Sequence, residues 1–291
     1  LTVFSPAKVN LSLNILGKRD DGYHELETLM LPLDFGDEIT LALRKTGLTL
    51  ECDNPNLPTD DTNLALRAAR VLAEACEVAG GAKITLRKRI PLAAGLAGGS
   101  SNAASVLRGL NRLWKLGAGD EKLGELAAQL GSDLNFFLGR GAAICRGRGE
   151  QVEPVPCKLS ATILLVNPGF GISTKWAYES WSCAAKKLTG KPPEVSLLVR
   201  ALADDDVAAA GKALFNSLEV ASVRKFPVLE LLKDKLRASG AAGALMSGSG
   251  ATVFGLFAQR AAAEAAALRI REQFGPSMWT QVARFAALPT I

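Results

Sequence analysis

Histidine is nearly missing from this sequence: His24 is the only one in 291 residues. A site built on two imidazoles is excluded, and with it the usual Cys/His zinc centres. Cysteine is sparse and scattered. Cys52, Cys76, Cys145, Cys157 and Cys183 are odd in number and include no C-x-x-C. That pattern points to unpaired thiols in a reducing compartment, and no His–Cys arrangement suggests a catalytic cysteine. No run of about 18 apolar residues occurs, so no membrane-spanning helix is expected. Residues 1–5 lack a basic stretch leading into an apolar core, so no signal peptide is expected. Because the chain opens on Leu1 and not Met, a trimmed sequence is expected. The expected location is the cytoplasm, or the plastid stroma had a transit segment been removed. Aromatic residues make up only 6% and are not interleaved with the one dense basic cluster, residues 83–89. The excess of positive charge, +5, therefore gives little support to nucleic-acid binding. The P-loop pattern G-x-x-x-x-G-K-[ST] is absent. Gly248-Ser249-Gly250 lacks the third glycine of a dinucleotide fingerprint and precedes a strand pattern.

What is present is ordinary globular composition, 48% hydrophobic and 22% charged. The length suits one large or two ordinary domains with no need of a disulfide or metal staple. Val9, Leu11, Leu13 and Ile15 alternate with Lys8, Asn10, Ser12 and Asn14. This period of two predicts a strand, with Lys8 and Asn10 on one polar face about 7 Å apart. Residues 38–44 and 47–52 predict a pair of strands around a turn near Gly47. A helix is predicted from Asp61 or Thr62, with Leu64, Ala68, Val71, Leu72 and Ala75 on one stripe and Gly80-Gly81 as its end. Residues 83–90 alternate as a half-buried strand. Helical spacing recurs from Ala103 to Trp114, and a third helix is predicted over 120–130, closed by Gly131. Gly147, Gly149, Pro154 and Pro156 cluster, which suggests a domain boundary and a division into 1–157 and 158–291. Residues 161–166 predict a short apolar strand. Helical segments follow, then a helix over 260–273 and a closing strand near 278–288. Strands and helices mix in both halves, so the class is α/β or α+β.

The strongest feature is Gly95-Leu96-Ala97-Gly98-Gly99-Ser100-Ser101-Asn102, between a strand and an amphipathic helix. Glycines let a backbone approach a ligand closely. The first N–H groups of a helix lack partners within it, and that end of the dipole is positive. Together these form a cradle for phosphate, to which Ser100 and Ser101 would add hydroxyls. The plainer reading is a flexible, capped strand–helix loop.

Three segments, in order, resemble the galactokinase, homoserine kinase, mevalonate kinase and phosphomevalonate kinase (GHMP) superfamily. They are Ser5-Pro6-Ala7-Lys8-Val9-Asn10-Leu11-Ser12-Leu13, Pro91 through Ala104, and Ser247 through Phe254. One branch matches more closely, whose acceptor is a cytidine-diphosphate-linked sugar alcohol of non-mevalonate isoprenoid synthesis. Its marks are Asp21-Gly22-Tyr23-His24-Glu25, the spelling GGSSNAA, Gly131-Ser132-Asp133 followed by Phe136-Phe137, and Gly147-Arg148-Gly149-Glu150. The resemblance spans nearly the whole chain. It implies a two-domain α+β GHMP kinase fold, with a ribosomal-protein-S5-like N-terminal domain, a ferredoxin-like C-terminal domain and an active site between them.

It also implies roles. Lys8 and Asp133 match a catalytic pair. Pro91, Leu92, Ala93, Ala94, Gly95, Leu96, Ala97, Gly98, Gly99, Ser100 and Ser101 would hold ATP, with Asn63 and Lys88 near the adenine. Asn10, Thr174, Gly248 and Ser249 would lie near the acceptor, together with Asp133. Tyr23, His24 and Tyr178 would hold the cytosine, Tyr178 being placed only by its ten-residue offset from Pro168. Mg²⁺ is implied with ATP; its ligands stay unassigned, with the Ser100 hydroxyl a candidate. A monomer or weak homodimer, with no nucleic-acid or membrane partner, is expected. Three departures stand out. Ala97 replaces a glycine and is expected to keep negative φ. Leu134-Asn135 stands where Val-Pro is common. Tyr178 rests on its offset alone.

Each residue has a plainer reading. Asp133 could cap a helix, Lys8 could be an exposed strand lysine, and His24 could be a satisfied turn histidine. Rival functions leave marks of their own in the sequence. Ser5-Pro6-Ala7-Lys8 and Lys45-Thr46-Gly47 spell S-x-x-K and K-T-G, but the serine enters a strand pattern and no S-D-N intervenes. A basic RNA-binding protein would not need the phosphate loop. A mevalonate-type or homoserine-type kinase would leave Tyr23 and His24 without a base to hold.

Overall fold

The computed structural model of the protein describes residues 1–184 and 192–289. The strands are β1 (Thr2–Lys18), β2 (His24–Arg44), β3 (Leu48–Cys52), β4 (Gly81–Arg87), β5 (Ala143–Gly147), β6 (Gln151–Pro154), β7 (Thr162–Asn167), β8 (Phe215–Asn216), β9 (Gly243–Met246), β10 (Val253–Phe257) and β11 (Trp279–Arg284). The helices are α1 (Leu64–Ala75), α2 (Gly98–Leu113), α3 (Asp120–Leu130), α4 (Leu134–Phe137), α5 (Thr174–Ala184), α6 (Val195–Ala203), α7 (Val207–Lys212), α8 (Glu219–Lys225), α9 (Val228–Ala238) and α10 (Arg260–Phe274). Among the described residues no helix is long and apolar enough to cross a membrane.

Two sheets organise these elements. The first runs β3-β4-β2-β1-β8, with β5 paired to the N-terminal half of β2 and β6 paired to β5. The second runs β11-β7-β10-β9, antiparallel throughout. Their inner faces pack directly on each other. Val9, Leu11, Leu29, Leu31 and Leu33 meet Ile163, Leu165, Phe254 and Leu256 in one buried cluster. Helices α1, α2 and α3 cover Ile39, Leu41 and Ile84 of the first sheet. Helices α9 and α10 cover Leu164, Val253 and Phe257 of the second. Four layers result, each apolar face buried against the next.

The alternation in β1 holds but has a different meaning from a surface strand. Its polar residues Lys8, Asn10 and Ser12 are buried along with its apolar ones. Register shifts at Pro6/Lys8, Asn10/Ser12 and Ile15/Gly17 re-aim this strand as it passes from one cluster to another. The predicted pairing of 38–44 with 47–52 is corrected. β3 runs parallel to β4, and β4 lies between it and β2. The chain gains that room because Gly81 sits against the Gly47 turn, where a Cβ would come 2.1 Å from the Gly47 carbonyl oxygen. The start of α1 also moves. Its cap is Asn63, whose Oδ1 accepts from the Ala65 N–H at 2.9 Å. The helix stops at Ala75, and Gly81 opens the next strand.

One buried polar knot ties α2 to the sheet. Asp37 on β2 is fully buried and accepts from the main-chain N–H of Arg89 at 2.7 Å and of Ile90 at 2.9 Å. It also accepts from Asn102 Nδ2 at 2.9 Å and pairs with the Lys88 ammonium. Asn102 on α2 donates in turn to Ser5 Oγ at 2.9 Å, and Ser5 Oγ shares a 2.8 Å bond with Ser101 Oγ. This knot sets the depth at which α2 lies on the sheet, and hence the position of the loop before it. Asp37→Ala strands the Lys88 charge in the interior, a change that costs about 3–5 kcal/mol in comparable buried pairs. The urea midpoint should fall accordingly; an unchanged midpoint would show that the knot is not what holds α2.

Candidate active site

A cleft of about 1060 Å³ opens beside the packed sheets and is lined by all three motif segments together with the start of α5. At its base lies Lys8, with a side chain only 5% exposed. Its Nζ donates to Asn10 Oδ1 at 2.6 Å and to the Gly95 carbonyl at 3.4 Å. The Asp133 carboxylate stands 3.5 Å away. Asn10 is itself fixed, donating to Thr28 Oγ1 at 2.8 Å, while Thr28 donates to the Ser12 carbonyl at 2.6 Å. Lys8 is therefore no surface lysine.

Asp133 occupies the N-cap position of α4, yet its side chain makes no cap bond. The capping reading fails, and the carboxylate is left to face Lys8. The Gly147-Arg148-Gly149-Glu150 turn packs behind it. Gly149 has φ +117°, and a Cβ there would lie 3.6 Å from Asp133 Oδ1. Glu150 accepts from the Arg148 N–H at 2.7 Å and holds this turn closed. Buried near the pair, the Cys145 thiol is pushed up to about 12 by burial and then by Asp133, so it stays a neutral packing group.

The glycine loop meets the third motif by main-chain contact. Gly95 has φ +77°, and a Cβ there would fall 2.0 Å from the Ser247 carbonyl oxygen. Ser247 Oγ donates to the Gly95 carbonyl at 3.0 Å, and the Thr252 N–H donates to the Ala94 carbonyl at 3.2 Å. Ala94 and Leu96 turn their side chains into the core and give the cleft their main chain. Pro91, Leu92, Ala93, Gly98, Gly99 and Ser100 line it as well. The expectation for Ala97 is overturned: its φ is +53°. Placed immediately before α2, this left-handed residue turns the chain into the helix and offers no side-chain cap. The first N–H groups of α2 thus begin at the cleft without a side-chain acceptor.

One assignment needs correction. Ser101 is fully buried with its Oγ on Ser5, so it faces the sheet and does not line the cleft with Ser100. Helical geometry explains this, because consecutive residues point about 100° apart around the axis. Lys88 borders the cleft, with its ammonium held by Asp37 and Asn102 and its main-chain N–H donating to Asp53 Oδ1 at 2.8 Å. Asn63 borders it too, with both amide atoms engaged, the nitrogen donating to the Pro58 carbonyl at 2.7 Å. Asn56, Leu57, Pro58, Thr62 and Leu64 complete this wall. No sequence pattern marks the 56–58 loop as part of a site.

At the other end of the cleft His24 stacks on Tyr178 of α5, with ring centroids 5.2 Å apart and planes 28° apart. Trp181 meets His24 edge-on at 5.6 Å, and Ser182 Oγ lies 3.1 Å from His24 Nε2. Burial, and then the Lys18 charge, lower the His24 pKa and favour a neutral ring. Burial and then Asp133 push the Tyr178 phenol up, so it stays protonated. Tyr178, placed only by an offset, thus falls beside His24. Tyr23 is 53% exposed, and the Arg148 guanidinium sits 4.8 Å from the centre of its ring. Thr174 and Ser249 share a 3.1 Å hydroxyl contact, and Gly248 approaches Lys8 and Asn10 from above. Arg148 and Trp181 were not assigned from sequence. Arg148 lies in a segment quoted for the resemblance, and Trp181 lies three residues beyond Tyr178 on the same helix, spacing that could have drawn attention to both.

Comparison with known proteins agrees with this geometry. Residues 63–141 match the family described as GHMP kinases N terminal domain, and residues 198–275 match GHMP kinases C terminal. A 4-diphosphocytidyl-2-C-methyl-D-erythritol kinase of Geobacillus kaustophilus is 41% identical over 258 residues, 88% of each chain. One from a Synechococcus strain is 40% identical over 280 residues, 94% of this chain and 90% of that protein. A crystal structure of 4-(cytidine 5′-diphospho)-2C-methyl-D-erythritol kinase superposes with a TM-score of 0.83 at 36% identity, covering 98% of this chain and all of the other. A homoserine kinase from Cytophaga hutchinsonii shares the fold at a TM-score of 0.77 and 20% identity. The chain belongs to the GHMP kinases and, within them, to the 4-diphosphocytidyl-2-C-methyl-D-erythritol kinase family.

Proposed function

We propose that this chain transfers the γ-phosphoryl group of ATP to the 2-hydroxyl of 4-diphosphocytidyl-2-C-methyl-D-erythritol, releasing ADP and the 2-phosphate, in the non-mevalonate route to isoprenoid precursors. The observation that carries this reading is the convergence on one cleft of an uncapped helix start, a Lys8–Asp133 pair and a His24–Tyr178 stack. The chain division lies near residue 158 on this reading, between β6 and β7. Unpaired cysteines fit a reducing cytoplasm.

The triphosphate would lie along residues 95–100, on main-chain N–H groups and the positive end of α2. The adenine would rest against Asn63, Leu64 and Lys88, all of which line the cleft. Asp133 would accept the proton of the attacking hydroxyl, or orient it, as a new O–P bond forms and the bond to the ADP oxygen breaks. The Lys8 ammonium, held by Asn10 and the Gly95 carbonyl, would offset charge on the phosphoryl group in transit. A neutral His24 ring offers one donor and one acceptor to a cytosine edge. Among the described residues no three carboxylate, imidazole or thiol groups converge as a metal cage. Mg²⁺ carried with a nucleotide needs only one or two protein oxygens, the rest coming from phosphates and water. The Ser100 hydroxyl, which lines the cleft, fits that demand and would hold the ion, which when bound supplies charge neutralisation on the phosphates.

A coupled ADP-release assay tests the reading. The cytidyl acceptor should turn over, and its uridyl analogue should react at least about 10²-fold more slowly, because its base leaves the site's polar groups unpaired. Equal rates with both would remove His24 and Tyr178 from base recognition. Asp133→Asn should lower kcat by about 10²–10⁴-fold with KM for either substrate little changed; near-normal turnover would take Asp133 out of the mechanism. The lowered His24 pKa sets a pH dependence. The ring is neutral above that pKa and gains a proton as pH falls through it, below the ordinary value of about 6.5. KM for the cytidyl acceptor should be flat from neutral pH down to about 6.5 and rise below it, with KM for ATP unaffected. In His24→Gln the step should vanish; a step that persists belongs to another group.

A further inference from the structure

At the opposite end of α2 from the cleft lies a second cavity, of about 660 Å³. Arg108 and Arg112 of α2, Lys115 in the following turn and Arg140 beyond α4 all line it, against one acidic residue among the described ones, Asp120. Arg108 and Arg112 are one helical turn apart and share a face, about 6 Å from each other. Arg108 is partly buried. Its guanidinium donates to the carbonyls of Leu138, Gly139 and Pro289, all uncharged acceptors. Burial lowers its pKa; Asp120 opposes that, and Arg140 adds to it. Among the described residues, none of these four cations has a carboxylate within ion-pair distance. Elsewhere the chain does pair its partly buried cations, as Lys88 with Asp37 and Lys233 with Glu219.

Helix-dipole compensation accounts for Arg112, in the last turn of α2. It does not account for Arg108, more than a turn from that end, or for Arg140, which comes from a separate segment. The turn that carries Lys115 is fixed in place: Asn111 accepts from the Ala118 N–H at 3.0 Å and donates to the Ala118 carbonyl at 2.9 Å. Unpaired cations gathered around a formed cavity call for an anion. A single phosphate, at about −1.5 to −2, would leave positive charge over. Two linked phosphates come closer to neutralising four cations and one carboxylate. We propose that this cavity is a second anion site, separate from the active-site cleft, that takes a compact diphosphate between the Arg108–Arg140 pair and Arg112–Lys115.

Calorimetric titration of inorganic pyrophosphate into the full chain, with the active-site cleft saturated by ADP, tests this. One residual site per chain is expected. The double variant Arg112→Glu/Arg140→Glu, both exposed positions, should weaken it about tenfold or more through lost charge complementarity. Without pyrophosphate, kcat and KM for ATP of that variant should equal those of the parent. No residual binding in the parent, or equal binding in the variant, overturns the site. Displacement by sodium sulfate at matched ionic strength, with an affinity equal to that of pyrophosphate, overturns the diphosphate assignment.

Discussion

The Gly95 carbonyl is the point on which the cleft depends. It accepts from Ser247 Oγ at 3.0 Å and from Lys8 Nζ at 3.4 Å. Residues 8, 95 and 247 are remote in sequence, and one peptide group joins them. The approach is so close that a single Cβ at Gly95 would overlap the Ser247 main chain. The third motif is therefore a clamp before it is anything else. It is held in turn by Asn216, whose amide donates to the carbonyls of Met246 and Gly248 at 2.8 Å each. The glycine-rich loop, borne by the first sheet and its helices, is thus fixed against the third motif by main-chain packing, and Lys8 is aimed by the same contact.

Burial then sets the electrical character of the cleft. Lys8 carries its charge into the interior with polar neighbours on three sides, namely Asn10, the Gly95 carbonyl and Asp133. Asp133 stays partly exposed, at 30% of its side chain, on the side open to a substrate. A buried cation next to a half-open carboxylate holds the carboxylate in place without removing it from reach. The groups farther along follow the same rule. His24 is favoured as a neutral ring, the Tyr178 phenol keeps its proton and Cys145 keeps its own. The Lys8–Asp133 pair stands at the end where phosphate would react, while the rings of His24 and Tyr178 at the other end are neutral, with Arg148, Lys175 and Glu179 also bordering the cleft.

Much of this was readable in the residues. The glycine-rich segment, the strand with Lys8 and Asn10, and the helix over 120–130 lie where local pattern put them, because each is governed by short-range chemistry. The errors have long-range causes. The parallel insertion of β4 between β2 and β3 depends on the fit of Gly81 against the Gly47 turn, which no strand period reveals. Ser101 looked like a partner of Ser100 because the two are adjacent, and the helix turns one of them to Ser5. A Cβ by itself argues for negative φ at Ala97. In place, packing and the onset of α2 hold it left-handed despite a penalty of about 1–2 kcal/mol for a non-glycine residue.

The chain contains its own comparison for what a helix start is used for. In α1, Asn63 caps the Ala65 N–H, and in α7, Asp206 caps the Ala209 N–H at 2.9 Å. Both are ordinary solutions to the unpaired donors of a first turn. α2 has serines at its third and fourth residues but no capping side chain before it, and it tolerates a left-handed alanine in that position. A cap there would occupy the donors that face the cleft. Side-chain caps are the exception among the described helices, since α3, α4, α6, α8, α9 and α10 also lack one, so what sets α2 apart is the left-handed alanine before it and the cleft that its first turn borders. The left-handed Ala97 and the glycines after it start α2 at the cleft wall, where its first main-chain N–H groups would be open to a phosphate.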